Sequence, residues 1–189
     1  MPLQYDLAAS GPLRQGEILA DVHEHRVEAP AASLSGNDAP KRKSHTFTSV
    51  KHPLTVVLSP ACDLDQHYGF HEEGSDKAAF ALSHVILLDL YSQSDLRTNP
   101  AIVSNIFDRI KKNQDERYHC LPAAEIGSSG QSLPQLFVDF KRAFSLPIDS
   151  LYTALESGLV RRRAIVPPVY VHDLIQRFYS FLARIGVPD

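Results

Sequence analysis

Cysteine is scarce in this sequence, because Cys62 and Cys120 are the only thiols among its 189 residues. Two cysteines cannot form the disulfide framework that stabilises small secreted domains. No apolar run approaches the roughly 20 residues of a membrane-spanning helix, and no signal-peptide pattern opens the chain. We therefore expect a cytoplasmic protein that does not enter a membrane and keeps both cysteines as thiols.

An excess of positive charge is also missing. The 19 lysines and arginines are outnumbered by 22 aspartates and glutamates, which gives a net charge of −3 and no global field to attract nucleic acid. The Walker A loop, the dinucleotide fingerprint, the zincin motif and the nucleophile elbow do not occur, so enzyme classes that depend on them are excluded. Two local basic runs remain, "KRK" at 41–43 and "RRR" at 161–163, and each is either a phosphate contact or solvated surface.

Length and composition predict one domain over residues 1–189, with an apolar share of 43% that is ordinary for a globular protein. Residues 29–44 are rich in Pro, Ala, Ser, Gly, Asn and Lys, a composition that predicts a flexible loop. Before this loop, Ile18, Ala20 and Val22 alternate with polar or oppositely facing residues, as in a strand. After it, "HTFTSV" and "LTVVLS" predict two strands, and Pro60 marks the point where the chain leaves the sheet.

Helical patterns occur mainly in the second half. Asn99 and Pro100 predict the start of a helix, and Gly158 ends a second, short helix. Pro167 and Pro168 precede an amphipathic C-terminal helix that Gly186 ends; its apolar face comprises Val171, Leu174, Phe178, Phe181, Leu182 and Ile185. The order of these elements predicts an α+β fold: a small, strongly bent antiparallel sheet or SH3-like barrel, with helices packed on it.

Side chains suited to metal binding or catalysis follow the apolar strand 54–59. They are Cys62, Asp63, Asp65, His67 and His71. Thiolate, carboxylate and imidazole groups are zinc ligands, but their spacing matches no standard zinc motif. We therefore expect no bound metal or cofactor, and name Cys62, Asp65 and His67 as the candidate ligands. In the alternative interpretation Cys62 is a small buried hydrophobe, and the aspartates end the strand through backbone hydrogen bonds.

A second group of reactive side chains lies at Arg117, Tyr118, His119 and Cys120. In a strand, Arg117 and His119 share one face, and the other two share the opposite face. Arginine beside histidine can bind phosphate and supply acid–base chemistry, and a pair of Cys62 with His119 would activate a thiolate. The alternative is an edge strand with a solvated polar face and a buried Tyr/Cys face.

The phrases "QGEI" at 15–18 and "HPLTVVLSP" at 52–60 resemble the PemK/MazF-like growth inhibitors. These are small SH3-like barrels that cut single-stranded RNA, so the resemblance implies such a barrel and such an activity. It puts His52 where that family has a catalytic arginine, and Ser59 near the position of a hydroxyl residue. Nothing after Pro60 has a counterpart in the family.

A second resemblance spans the whole chain. It is to a group of bacterial proteins that share phrases of the form "QGDI", "VVLSQSCDL", "RYHYLP" and "VVDF". Here these phrases fall at 15–18, 56–64, 117–122 and 138–140. This resemblance brings no activity with it.

Two functions from different classes remain. The first is a non-catalytic interaction module with a protein partner, one component of a larger bacterial defence or toxin–antitoxin-like system. The alternative is an RNA-cleaving or RNA-binding protein of the PemK/MazF type. The candidate catalytic residues for that alternative are His52, Ser59, Cys62, Asp63, Arg117 and His119.

Overall fold

The computed structural model of the protein describes residues 3–7, 10–28, 46–73 and 81–184. The predicted flexible loop 29–44 and Gly186 lie outside these ranges. The strands in the described chain are β1 Gln4–Tyr5, β2 Glu17–Glu28, β3 Thr46–Val57, β4 His84–Tyr91, β5 Tyr118–Leu121, β6 Ala124–Ile126, β7 Gln131–Leu133, β8 Leu136–Pro147 and β9 Arg161–Ile165. The helices are α1 Ala61–Glu73, α2 Gln93–Arg97, α3 Ser104–Lys111, α4 Ile148–Glu156 and α5 Pro168–Leu182. None of these helices is long and apolar enough to cross a lipid bilayer.

Six strands form the larger sheet in the order β5-β8-β4-β3-β2-β9. All of its neighbouring strands run antiparallel. A smaller sheet has the order β1-β6-β7 and begins with a parallel pair. The predicted α+β class is therefore confirmed. The larger sheet is not a closed barrel, because β5 and β9 stand at its two ends, so the SH3-like alternative is wrong for this sheet.

Helices cover both faces of the larger sheet, which explains why its central strands are continuously apolar. On one face, Ile18, Val56 and Leu88 join a core with Leu174 of α5 and with the small sheet. The residues adjacent to these in each strand point to the other face. There, Leu19, Val57 and Leu87 join a second core with Leu64 of α1 and Leu151 of α4. A third core places α3 against β5.

The segment after Pro60 is a helix and not the predicted loop. Leu64, His67 and Tyr68 have the i, i+3, i+4 spacing of one helical face; the first two are buried, and Tyr68 packs against the core beneath α1. Asp63 in the first turn suits the positive end of the helix dipole. The sequence obscures this helix because Gly69, a poor helix former, interrupts a mostly polar run.

Two helix boundaries differ from the predicted ones. The helix expected from Asn99 begins at Ser104, because Asn99 instead closes a turn in which its side chain accepts the N–H of Ala101 at 3.0 Å. The C-terminal helix is confirmed, with Leu174 fully buried. Leu182, predicted for its apolar face, is 58% exposed.

Two irregularities in the larger sheet open a space between its strands. Leu88 pairs with Ala143 and Leu90 with Val138, so Asp89 alone stands opposite residues 139–142 of β8. This is a large β-bulge, a feature common beside active sites. In addition, β3 pairs with β4 only from Thr55 to Val57, although β3 continues as an arm paired with β2. The two strands therefore diverge beyond Thr55.

Candidate functional site

A cavity of about 480 Å³ opens where β3 diverges from β4. The bulged part of β8 forms its third wall. Its basic lining residues are Arg26, Lys51, Lys141 and Arg142, and its acidic ones are Asp89 and Asp95. Arg26 and Lys51 are paired with Glu24 and Asp21, so Lys141 and Arg142 are the lining cations that suit a negatively charged ligand.

His52 forms the buried part of the cavity wall and is 4% exposed. Its Nδ1 lies 2.6 Å from Oδ1 of Asp89, and its Nε2 lies 3.3 Å from Oε2 of Glu24. The imidazole ring stacks on Phe144 with their centroids 4.0 Å apart. Position and orientation of His52 are thus fixed by three different strands.

The two carboxylates limit which hydrogen bonds the ring nitrogens of His52 can make. A carboxylate only accepts hydrogen bonds, and a neutral imidazole has one N–H. Both contacts of His52 are hydrogen bonds only when both ring nitrogens carry hydrogen. A His52 ring with hydrogen on both nitrogens would bridge Asp89 and Glu24, and such a ring can donate a proton in acid catalysis.

Each carboxylate beside His52 has a further partner. Arg26 donates to Oε2 of Glu24 from Nε at 2.9 Å and from Nη2 at 2.7 Å. Hydrogen bonding to Arg26, more than the contact with His52, holds the pKa of Glu24 below its usual range. Tyr91 donates its hydroxyl hydrogen to Oδ2 of Asp89 at 3.2 Å. Burial first, and the charge of Asp89 second, raise the pKa of Tyr91 to about 12.

The bulge of β8 is held by Arg117 and Asp139. Arg117 binds both carboxylate oxygens of Asp139, and Asp139 also accepts the backbone N–H of Lys141 at 3.0 Å. These bonds anchor the strand just before Lys141 and Arg142 enter the cavity lining. Arg117, predicted to be a phosphate ligand, therefore supports the wall of the cavity.

Ser59 anchors the backbone and is not a member of the cavity lining. Its Oγ accepts the N–H of Ile86 at 2.9 Å, and the residue is 1% exposed. The Ser59 hydroxyl, a candidate catalytic group in the sequence, therefore binds the backbone within the sheet.

Helix α1 separates the candidate metal ligands. Cys62 is exposed, with Sγ 3.5 Å from Oδ1 of its neighbour Asp63. His67 is buried, with Nε2 3.1 Å from Oδ1 of Asp149. Five residues along a helix correspond to a rotation of about 140° beyond one full turn, so His67 and Cys62 occupy different faces. Within the described ranges, no three His, Cys, Asp or Glu side chains are arranged to hold a metal ion, so Cys62, Asp65 and His67 do not form a site.

His119 lies beneath α5 and is 1% exposed. Its Nδ1 is 3.9 Å from Oδ2 of Asp173, and its ring faces Phe140. Burial lowers the pKa of His119 to about 4. In the described chain the contacts of His119 are with Asp173 and Phe140, and that of Cys62 is with Asp63, so the conditional thiolate–imidazole pair is not formed there.

The "QGEI" phrase and the "RRR" run meet in a structural ion pair. Arg162 Nη1 lies 3.0 Å from Oε1 of Glu17, which is fully buried. Arg161 instead binds Asp21 at the surface, at 2.5 Å. Two of the three arginines are thus engaged by carboxylates, and the run is not an open phosphate patch. The "KRK" run lies outside the described residues.

Comparison of the chain with protein-family models, with curated proteins and with solved structures finds no match. Both resemblances noted in the sequence therefore stay predictions. Sequence reasoning named His52 but missed its partners Glu24 and Asp89 and the basic residues of the bulge. The available signal was Asp89 itself, an acid inside the apolar run "VILLDL", since buried charges are retained only when they are paired.

Proposed function

We propose that the cavity beside His52 binds the phosphates of single-stranded RNA and that the protein cleaves the bound chain. The observation that supports this most strongly is the imidazole of His52, held between Asp89 and Glu24 on the wall of a cavity that Lys141 and Arg142 also line. Lys141 and Arg142 supply cationic donors for a phosphate. Because three different strands form the cavity walls, these groups would be held in a fixed geometry.

The proposed chemistry is transfer of the phosphodiester to the neighbouring 2′-hydroxyl. The 2′-oxygen forms a bond to phosphorus while the bond from phosphorus to the 5′-oxygen breaks. The 2′-hydroxyl gives its proton to Glu24, and His52 gives the departing 5′-oxygen the Nε2 proton that otherwise faces Glu24 at 3.3 Å. Lys141 and Arg142 stabilise the charge that develops on the non-bridging oxygens.

Purified protein and labelled single-stranded RNA test this function. We expect cleavage by the unmodified protein, a loss of roughly 100-fold or more in His52→Asn, and no change in His23→Asn, a matched exposed histidine on the neighbouring strand. DNA of the same sequence should bind but stay intact, because it lacks the 2′-hydroxyl. Intact RNA in the presence of folded protein would refute the proposal.

A second candidate function, the interaction module of a larger bacterial system, is favoured by the arm that β2 and β3 form. Val27 and Phe47 are cross-strand partners on this arm, and they are 60% and 78% exposed. Large apolar side chains displayed together in this way mark interaction surfaces. Phe47→Ser should weaken a co-purifying complex and leave RNA cleavage unchanged.

We also propose a cytoplasmic location. Both cysteines are free, and Cys62 is exposed. An exposed free thiol suits a reducing compartment. Fractionation of cells that produce the tagged protein would test the assignment.

A further inference from the structure

The outer edge of β2 is open along most of its length. β9 pairs with β2 only as far as Ala20, opposite Arg161. From Asp21 to Glu28, no strand of the described chain pairs with this side of β2, although β3 pairs with the other side as far as Glu28. Asp21 has a positive φ of 62°, so the extended edge comprises residues 22–28, which span about 23 Å. Alternate residues on such an edge present their N–H and C=O groups outward.

An apolar groove of about 510 Å³ runs beside this open edge. Its apolar lining residues are Val22, Leu146, Leu151, Ala154, Leu159 and Val160. Leu159 is 69% exposed, which is high for a leucine at the mouth of an apolar groove. His23 and His25 stand at the β2 side of the groove and are exposed. An open strand edge thus adjoins a pocket that can take an apolar side chain.

We propose that this groove binds an extended peptide segment of a partner protein, which adds a strand to β2. Backbone hydrogen bonds to the edge would supply affinity, and an aliphatic side chain of the peptide would fill the groove. Carboxylates flanking that side chain would accept hydrogen bonds from His23 and His25. The proposal rests on the second candidate function and gives the module a defined docking surface.

A second copy of this chain is a poorer occupant than a peptide. If two β2 edges paired, the segment presented to the groove would be "DVHEHRVE". Its side chains between the two valines are imidazoles, a carboxylate and a guanidinium, and burying these in an apolar groove is unfavourable. A segment with aliphatic residues at every second position avoids this penalty.

The test uses the full chain and a labelled, end-capped peptide of about eight residues, with valine at every second position and glutamate or serine between. Two isomers of the peptide carry backbone N-methyl groups on alternate residues, so that each isomer blocks one of its edges. We expect the parent peptide and one isomer to bind, and the other isomer to lose binding. Leu159→Glu should weaken binding by roughly tenfold or more, whereas Leu182→Glu, a matched exposed leucine on α5, should not change it.

Four results would overturn the proposal. They are no binding of the parent peptide, equal binding of both methylated isomers, equal effects of the two leucine substitutions, and a dimer of this chain that Leu159→Glu dissociates. A natural complex that survives Leu159→Glu, in a variant that no longer binds the peptide, would remove the groove as the docking surface but leave the interaction module standing.

Discussion

Arg117 binds both carboxylate oxygens of Asp139, with Nε 2.8 Å from Oδ1 and Nη2 2.5 Å from Oδ2. The pair joins the "RYH" and "VDF" phrases, which are far apart in the sequence. Asp139 is 5% exposed, so Arg117 replaces hydrogen bonds that water would otherwise make to its carboxylate. Hydrogen bonding to Asp139 also raises the pKa of Arg117, which keeps the guanidinium charged.

Removing Arg117 should therefore destabilise the protein more than removing both partners. We expect Arg117→Ala to lower the free energy of unfolding by about 2–3 kcal/mol, because the Asp139 carboxylate stays buried without its partner. The double variant Arg117→Ala, Asp139→Asn should recover part of this loss. Urea unfolding of the unmodified protein, the single variant and the double variant measures these differences. A double variant less stable than the single variant would contradict the prediction.

Two glycine-to-alanine substitutions should have opposite effects. Gly16 has φ of +83°, and an added Cβ would overlap the Val171 side chain of α5, so Gly16→Ala should cost roughly 2 kcal/mol or more. Gly69 lies inside α1 with open space around a Cβ. Gly69→Ala should therefore stabilise the protein by about 0.5–1 kcal/mol. Thermal unfolding measures both, and a destabilising Gly69→Ala would contradict a helix at this position.

His119 should make the stability of the protein sensitive to mild acid. Its pKa is lowered to about 4 by burial, so between that pH and its ordinary pKa of about 6.5 the unfolded chain binds more protons than the folded one. Stability is therefore complete above this window and falls as the pH decreases through it. Between about pH 7 and about pH 5 the unmodified protein should lose about 2 kcal/mol more than His119→Gln.

Denaturant unfolding at the two pH values tests the role of His119. His23→Gln, a substitution of an exposed histidine, is the matched control and should keep the acid sensitivity. An acid sensitivity that His119→Gln retains would assign the effect to other groups.

The bulge residues should govern the salt dependence of RNA binding. Each phosphate contact that is removed lowers the slope of log affinity against log salt by about 0.7 for a single strand. We expect this decrease in Lys141→Ala and in Arg142→Ala, and none in Lys112→Ala at the C-terminal end of α3, outside the cavity lining. Fluorescence titrations at several salt concentrations supply the slopes, and an unchanged slope in both bulge variants would exclude the cavity as the RNA site.

The sequence predicts those strands and helices whose own residues carry a clear hydrophobic pattern. The continuous apolar run around Val56 was predicted to be a strand and is one. The terminal helix was predicted from its prolines and its apolar spacing, which Val171 and Leu174 satisfy. Helix α1 was missed because its apolar face is narrow and Gly69 interrupts it, so that packing against the sheet decides its conformation, not helix propensity.

The site could be predicted only in part, because its contacts come from strand register. His52 was named, but Asp89 approaches it from another strand, 37 residues away. The bulge that brings Lys141 to the cavity depends on the pairing of β8 with two neighbouring strands. Neither the hydrophobic periodicity of a strand nor its residue types predict such a shift in strand register. Whether Cys62 and His119 would meet was open in the sequence for the same reason.

The ion pair of Glu17 with Arg162 also limits when the protein can finish folding during synthesis. These residues are 145 positions apart, and ribosomes add roughly 5–20 residues per second. For roughly 7–30 seconds after its own synthesis, the Glu17 carboxylate lacks Arg162, and β2 lacks its neighbour β9. In that interval the nascent chain exposes a strand edge that a chaperone or a neighbouring chain can bind. Replacement of Glu17 by a neutral residue would therefore alter the yield of folded protein as well as its stability.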